Sequence, residues 1–189
     1  MKKGLTLVEL LITMGISIII GGLLTVIILN SAGLYYKESS KLTEGLNIND
    51  TLTKVRETIK ESSSIATSYT QGSTTYTSGT TQLVLKVPSL DSSNNIISNT
   101  FDYFVFFLDT NKLRFKTFPD ALSARKSQDQ IFTTLLDSLS FKYLDNLNPP
   151  NEVTPNSAKK VLITIALKQK SGAKIETIIA TSEAYLRND

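Results

Sequence analysis

Hydrophobic and polar residues divide the chain into two unlike parts. Residues 10–36 contain no charged side chain, and these 27 positions would form a helix about 40 Å long. About 20 apolar residues suffice to cross the hydrocarbon core of a bilayer. We therefore predict a membrane-spanning helix near the N-terminus and a polar part that begins at Lys37.

The helical pattern continues past the apolar run to about residue 62. Ile48, Leu52, Val55 and Ile59 follow a 4-3-4 spacing and fall on one narrow stripe, while charged residues lie on the other faces. We predict that residues 37–62 continue the helix and that this stripe packs against a core. Three consecutive serines at 62–64 mark its end.

Residues 63–189 show the alternation and turn signals of β-strands. The turn sequence DTNK separates two strands of a predicted hairpin, and a second hairpin turns at KSG. A further strand places Leu139, Phe141 and Tyr143 on one face, and Pro88 is expected to end another. The strands of the first hairpin are 101–108 and 113–118, those of the second are 161–168 and 174–180, and the strand that Pro88 ends is 83–87. Several strands with short connections after one helix indicate an α+β fold, an antiparallel sheet packed on that helix.

Residues 67–81 form a tract of Ser, Thr, Gly and Tyr, TSYTQGSTTYTSGTT. It is too polar for a core but contains β-forming Thr and Tyr. Three interpretations remain open: a surface loop, a loose hairpin about Gln71 and Gly72, or an O-glycosylated segment. We favour the loop.

Composition narrows the possible chemistry. With no His and no Cys, the chain has no Ser-His-Asp or Cys-His nucleophile, no disulfide and no zinc site built from N or S ligands. A formal charge of +3 supplies no concentrated basic surface for nucleic acid. Phosphate-binding and nucleophile-elbow motifs are absent. We expect no enzyme activity, no cofactor and no metal. The loops at 91–95 and 145–148 offer oxygen ligands for Ca²⁺, but we interpret them as Asx turns.

Glu9 does not belong in a plain membrane anchor. It lies at the head of the apolar run, and a charged side chain deep in a bilayer costs about 2.5–3.5 kcal/mol even on lenient scales. One alternative is that Glu9 lies shallow and reaches the headgroups.

A second alternative concerns the whole segment: Lys2 and Lys3 could begin a cleaved signal peptide, but the apolar run is longer than the usual 7–15 residues. Lys2 and Lys3 predict a cytoplasmic N-terminus and an exported head.

The first twelve residues, MKKGLTLVELLI, closely resemble the type IV prepilin leader. The resemblance implies that Gly4 is the last leader residue and Leu5 the first of the mature chain. Prepilin peptidase would cut between them and N-methylate Leu5, where the family more often has Phe. Thr6 and Glu9 match the threonine and glutamate of the motif and are implied in assembly.

The resemblance extends to the order of elements, and it implies a pilin fold. Its parts would be a leader (1–4), a transmembrane or filament-core helix (5–36), an amphipathic continuation (37–62) and a β head (63–189). The J-type minor pseudopilins of type II secretion and related minor pilins look nearest. Without its leader the chain has eighteen basic and seventeen acidic residues, a net charge of +1.

The function implied is that of a structural subunit, of the minor type, in a type IV pilus or a type II secretion pseudopilus. Its expected partners are other pilin or pseudopilin subunits, prepilin peptidase, the inner-membrane assembly platform and the membrane. Glu9 would pair with the N-terminal amine of a neighbouring subunit. The competing interpretation is a single-pass, membrane-anchored surface binding domain that never assembles.

Three glycines lie inside the apolar run, at Gly15, Gly21 and Gly22. They favour two interpretations about equally, close helix packing and local unwinding of the helix.

Overall fold

A computed structural model describes residues 6–133, 136–171 and 174–187 of the chain. One helix, α1, runs over 55 residues, Leu7–Glu61. It ends where the serines predict, because the backbone N–H of Ser62 and its hydroxyl both donate to the carbonyl of Ile59 at 3.1 and 2.6 Å. The apolar helix therefore continues into the second, amphipathic half without a break, as one element.

The strands after α1 form three antiparallel groups in the described part of the chain. A five-stranded sheet has the order β1-β4-β5-β6-β7, a three-stranded sheet has the order β10-β9-β8, and β2 pairs with β3. The α+β class predicted from the sequence is confirmed. The strand bounds are β1 Ser64–Ile65, β2 Ser68–Gln71, β3 Thr74–Thr77, β4 Gln82–Leu90, β5 Ile96–Asp109, β6 Lys112–Phe118, β7 Gln128–Thr133, β8 Leu136–Leu144, β9 Lys160–Ser171 and β10 Lys174–Tyr185.

The hydrophobic core lies between the two larger sheets and the C-terminal half of α1. The predicted stripe of Ile48, Leu52, Val55 and Ile59 is buried against both sheets. Each fully buried aliphatic side chain contributes about 1.5–3 kcal/mol relative to an exposed one. The stripe therefore fixes how the head sits on the helix. The predicted inward face of β8 is also confirmed, since its members are buried, namely Leu139, Phe141 and Tyr143.

The strand that contains Pro88 is longer than the sequence predicts. We expected Pro88 to end it, but β4 continues to Leu90, with a register shift between the two residues. The reason lies in the neighbouring strand: β1 pairs only with Lys86 and Leu85. Beyond that point β4 is an edge strand, where the missing N–H of proline breaks no ladder.

The polar tract at 67–81 forms a hairpin and not the loop that we favoured. Strands β2 and β3 pair on either side of Gly72, whose φ is +60°. Tyr69 and Tyr76 face the five-stranded sheet and cover its outer side, which includes the buried Val84 and Val105. The alternating tyrosines give an otherwise polar hairpin one apolar face, and that face holds it on the sheet.

We expect Tyr76→Ala to lower the free energy of unfolding of the head by about 3 kcal/mol, in the range of other buried aromatic truncations. The ring of Tyr76 is only 8% exposed and packs against Phe107 and Phe118 at centroid distances of 5.8 and 5.4 Å. Chemical denaturation followed by tyrosine near-UV circular dichroism measures the loss. The exposed Thr74 on the same strand is the control, and Thr74→Ala should change stability by less than about 0.5 kcal/mol. Equal effects would contradict the packing role.

Candidate functional site

A reciprocal hydrogen-bonded cap starts the apolar helix. Thr6 has extended backbone angles, and its Oγ1 accepts from the backbone N–H of Glu9 at 3.3 Å. Glu9 Oε2 in turn accepts from the backbone N–H and the hydroxyl of Thr6, both at 2.9 Å. This is a capping box, in which a Thr and a Glu three residues later satisfy N–H groups that the helix leaves free.

At the sequence level Thr6 and Glu9 were connected only through a family motif, and their cap was missed. The T-x-x-E spacing ahead of an apolar run is a sequence signature that would have found it. The structure brings these two residues together at the first turn. Gly4 and Leu5, the two residues of the predicted processing site, lie outside the described residues.

The carboxylate of Glu9 has room for a second partner. Its hydrogen bonds to Thr6 use Oε2, and Oε1 accepts none within the described residues. A negative charge is also favoured at the first turn by the helix dipole. The cap therefore holds the carboxylate at the helix end and leaves one oxygen open to a positively charged group.

The helix after this cap has no cover in the single chain. Leu7–Ala32 is 26 residues long, and its most apolar stretch of 18 residues has a mean hydropathy of 2.5 and no buried residue. By length and composition it is able to cross a membrane. An apolar surface of this extent is far larger than the patches that soluble monomers expose. It requires either lipid or other helices around it.

Three hydroxyl groups within the apolar segment donate to carbonyls of their own helix. Thr13, Ser17 and Thr25 donate to the carbonyls of Leu10, Thr13 and Gly21 at 2.9, 2.7 and 2.8 Å. Side chains that bond their own helix in this way carry no unpaired polar group into an apolar environment. These three positions are thus compatible with lipid or with a packed helix bundle.

No contact within the described part of the chain explains the three glycines of this segment. A Cβ added at Gly15, Gly21 or Gly22 would meet nothing within 4 Å among the described atoms. If these residues serve close approach, the approaching helix belongs to another molecule. The two interpretations, close packing and local unwinding, both stay open.

A second cluster lies in the head, around a carboxylate that the sequence did not single out. Asp102 is fully buried, and both of its oxygens are saturated with donors. Oδ1 accepts from the Ser89 hydroxyl at 2.7 Å and the Asp120 backbone N–H at 2.9 Å. Oδ2 accepts from the Ser123 hydroxyl at 2.9 Å and from Arg125 Nη1 at 2.7 Å. Burial by itself raises the pKa of this carboxyl, but the Arg125 guanidinium and the other donors outweigh burial and hold the pKa below its ordinary value.

The cluster fastens the connection between β6 and β7 to the sheet. Arg125 Nη1 also donates to the carbonyl of Pro88 at 2.6 Å, and the backbone N–H of Ala124 donates to the carbonyl of Leu90 at 2.7 Å. These bonds use the part of β4 that β1 leaves unpaired. Local sequence patterns do not reveal this arrangement, because its members lie up to 37 residues apart in the chain.

The two loops considered for calcium are Asx turns, as we interpreted them. Asp91 Oδ1 accepts from the backbone N–H groups of Asn95 and Ser93 at 2.9 and 2.8 Å. Asp145 Oδ1 accepts from those of Asn151 and Leu147 at 2.8 and 3.1 Å. These backbone donors lower the pKa of both carboxyls. Within the described ranges, no group of three or more Asp or Glu side chains is placed to hold a metal ion.

The chain matches no protein-family model, and no curated protein matches it either. The capped apolar helix and the head that it carries are therefore the features from which a function can be inferred.

Proposed function

We propose that this chain is a structural subunit, of the minor type, of a type IV pilus or a type II secretion pseudopilus. Prepilin peptidase removes residues 1–4 and methylates Leu5. Before assembly the chain spans the cell membrane, with its N-terminus in the cytoplasm and its head on the extracytoplasmic side. It joins the filament through its N-terminal helix, with the help of the inner-membrane assembly platform.

The observation that carries the proposal is one continuous helix with two different halves. The first half is apolar and uncovered, and the second half is buried in a β head through its stripe of Ile48, Leu52, Val55 and Ile59. A helix of this kind suits both a bilayer and a bundle of identical helices, because both environments are apolar. A subunit that moves from one to the other needs no change of fold.

Glu9 supports assembly over simple anchoring. A plain anchor gains only a helix cap from a carboxylate at the start of its apolar run, and it is penalised if that carboxylate enters the bilayer. In a packed bundle without water, a carboxylate stays ionised only beside an opposite charge. The amine created on Leu5 by cleavage is such a charge, and the open Oε1 of Glu9 is able to accept from the amine of a neighbouring subunit.

We expect the mature chain to begin at Leu5 and to carry one added methyl group. Intact-mass spectrometry of the protein extracted from membranes of its native host measures this directly. Gly4→Leu is the matched control, since it alters only the last leader residue and should retain Met1, Lys2 and Lys3. A native chain that keeps its leader would contradict the filament proposal and favour the alternative, a single-pass surface binding domain that does not polymerise.

A further inference from the structure

Two open cavities in the head share Arg125. One, of about 330 Å³, lies at the end of α1 and has an apolar wall of Pro88, Leu90 and Ile96. The other, of about 400 Å³, has an aromatic wall of Phe104 and Phe115. We call them the Arg125 cavities. Neither cavity is lined by a residue of the apolar helical segment. The role proposed for that segment therefore does not explain why the cavities exist.

Arg125 is held rigidly between the cavities. Nη1 donates one hydrogen bond to Asp102 Oδ2 and one to the Pro88 carbonyl, and the guanidinium lies 5.5 Å from the centre of the Phe104 ring. The Nε and Nη2 groups have no hydrogen-bond partner within the described residues, and the side chain remains 22% exposed. An arginine fixed in this way loses little entropy when it binds a carboxylate through its remaining donors.

The charges around the cavities are mostly positive. Lys60, Arg187 and Lys126 line them together with Arg125, and Glu61 is the one acidic side chain among the described lining residues. Asp102 neutralises Arg125 from beneath. Lys60 and Lys126 are exposed and make no ion pair within the described part of the chain.

The position of the cavities favours a protein partner over lipid headgroups. Glu61, at the end of α1, lies 29 residues beyond the apolar segment that ends at Ala32, a rise of about 44 Å along a helix. Electrostatic attraction to a membrane surface falls off within a Debye length, about 8 Å at physiological ionic strength. A headgroup would therefore have to come from a second membrane, whereas a protein segment reaches this end of the head directly.

We propose that the Arg125 cavities bind an extended segment of a partner protein in which acidic and aliphatic side chains alternate. The aliphatic side chains would lie against the two apolar walls, and the carboxylates would meet Arg125 and the flanking cations. Charge complementarity selects acidic segments, and the apolar walls select against free inorganic anions. This binding does not require polymerisation and would serve a filament subunit or an anchored surface domain equally.

The test uses the full chain in detergent micelles and the acetylated, amidated hexapeptide Glu-Leu-Glu-Leu-Glu-Leu, with binding measured by calorimetry. We expect measurable binding that weakens at high salt, and at least tenfold weaker binding of the Gln-Leu-Gln-Leu-Gln-Leu peptide. The double variant Lys60→Glu, Lys126→Glu should lose at least tenfold in affinity. Lys142→Glu, an exposed charge reversal on β8, should change the affinity by less than twofold.

Three results would overturn the proposal: no binding of the acidic peptide, equal binding of the Gln peptide, or unchanged affinity in the double variant. Complete competition by inorganic phosphate at the same concentration as the peptide would also overturn it, because the site would then select charge alone. Both substituted lysines are exposed, so the variants should fold, and near-UV circular dichroism checks this. A failure here leaves the cleavage at Gly4–Leu5 untouched.

Discussion

Glu9→Ala should leave membrane insertion unchanged and reduce incorporation into assembled filaments at least tenfold. Insertion is preserved because alanine removes a charge that the bilayer penalises by about 2.5–3.5 kcal/mol. Assembly fails because the amine of a neighbouring subunit would enter an apolar bundle without a counter-ion, and each 1.4 kcal/mol of that penalty is a factor of ten. Immunoblots of membrane and sheared-filament fractions from the native host measure both quantities.

The capping box makes Glu9→Gln the decisive control. A glutamine at this position still accepts from the Thr6 backbone N–H, so the cap survives while the charge is lost. We expect Glu9→Gln to fail in assembly almost as fully as Glu9→Ala. Thr6→Ala, which removes the hydroxyl but keeps the carboxylate, should cost about 1 kcal/mol of helix stability and leave assembly largely intact. Normal filaments with Glu9→Gln would show that Glu9 acts only as a cap.

Asp102→Asn should destabilise the head by about 3–5 kcal/mol, the usual result of removing one partner of a buried ion pair. The substitution keeps the shape of the side chain but leaves Arg125 without its counter-charge and turns one acceptor into a donor that faces other donors. Denaturation of the full chain in detergent, followed by tyrosine near-UV circular dichroism, measures the loss. Limited proteolysis should show new cleavage in residues 119–127, which this cluster fastens.

A second Arg–Asp pair provides the matched control. Arg114 Nε lies 2.7 Å from Asp129 Oδ1, the same distance as in the buried pair, but 34% and 43% of the two side chains are exposed. Asp129→Asn should therefore cost no more than about 1 kcal/mol. A comparable loss from both substitutions would mean that burial does not decide the strength of the Asp102 pair.

The Asp102–Arg125 pair also predicts how the stability of the head depends on pH. Because the pKa of Asp102 is lower in the folded chain than in the unfolded one, its contribution is complete above the unfolded pKa, about 3.9. It is lost as the pH falls from there through the lower folded pKa. The wild-type head should thus lose stability in acid more steeply than Asp102→Asn, and parallel curves would contradict this assignment.

Periodicity predicted the helix and the main hairpins well. The stripe from Ile48 to Ile59 and the inward face of β8 are buried as expected, because a period of 3.6 or 2 is set by local backbone geometry. The continuation of β4 through Pro88 was not predictable in this way. It depends on where β1 stops, and β1 is a neighbour only in the folded chain.

The same distinction between local and tertiary features applies to the candidate sites. Thr6 and Glu9 are three residues apart, so their hydrogen bonds follow from helix geometry once the T-x-x-E spacing is recognised. Tyr69 and Tyr76 looked like part of a polar loop, because their binding surface is the outer side of another sheet. Asp102 looked like one of several scattered aspartates, because its donors come from β4 and from the connection after β6.

The sequence by itself determined that this chain has an apolar helix long enough for a membrane, an acidic residue at its start and an antiparallel β head. Each of these features depends on residues close together in the chain. Only the tertiary structure decided that the Ser/Thr tract is a packed hairpin, that Asp102 is a buried anchor and that Arg125 lies between two basic cavities. Those features join residues far apart in sequence, and hydrophobic periodicity records which face is buried but not which partner covers it.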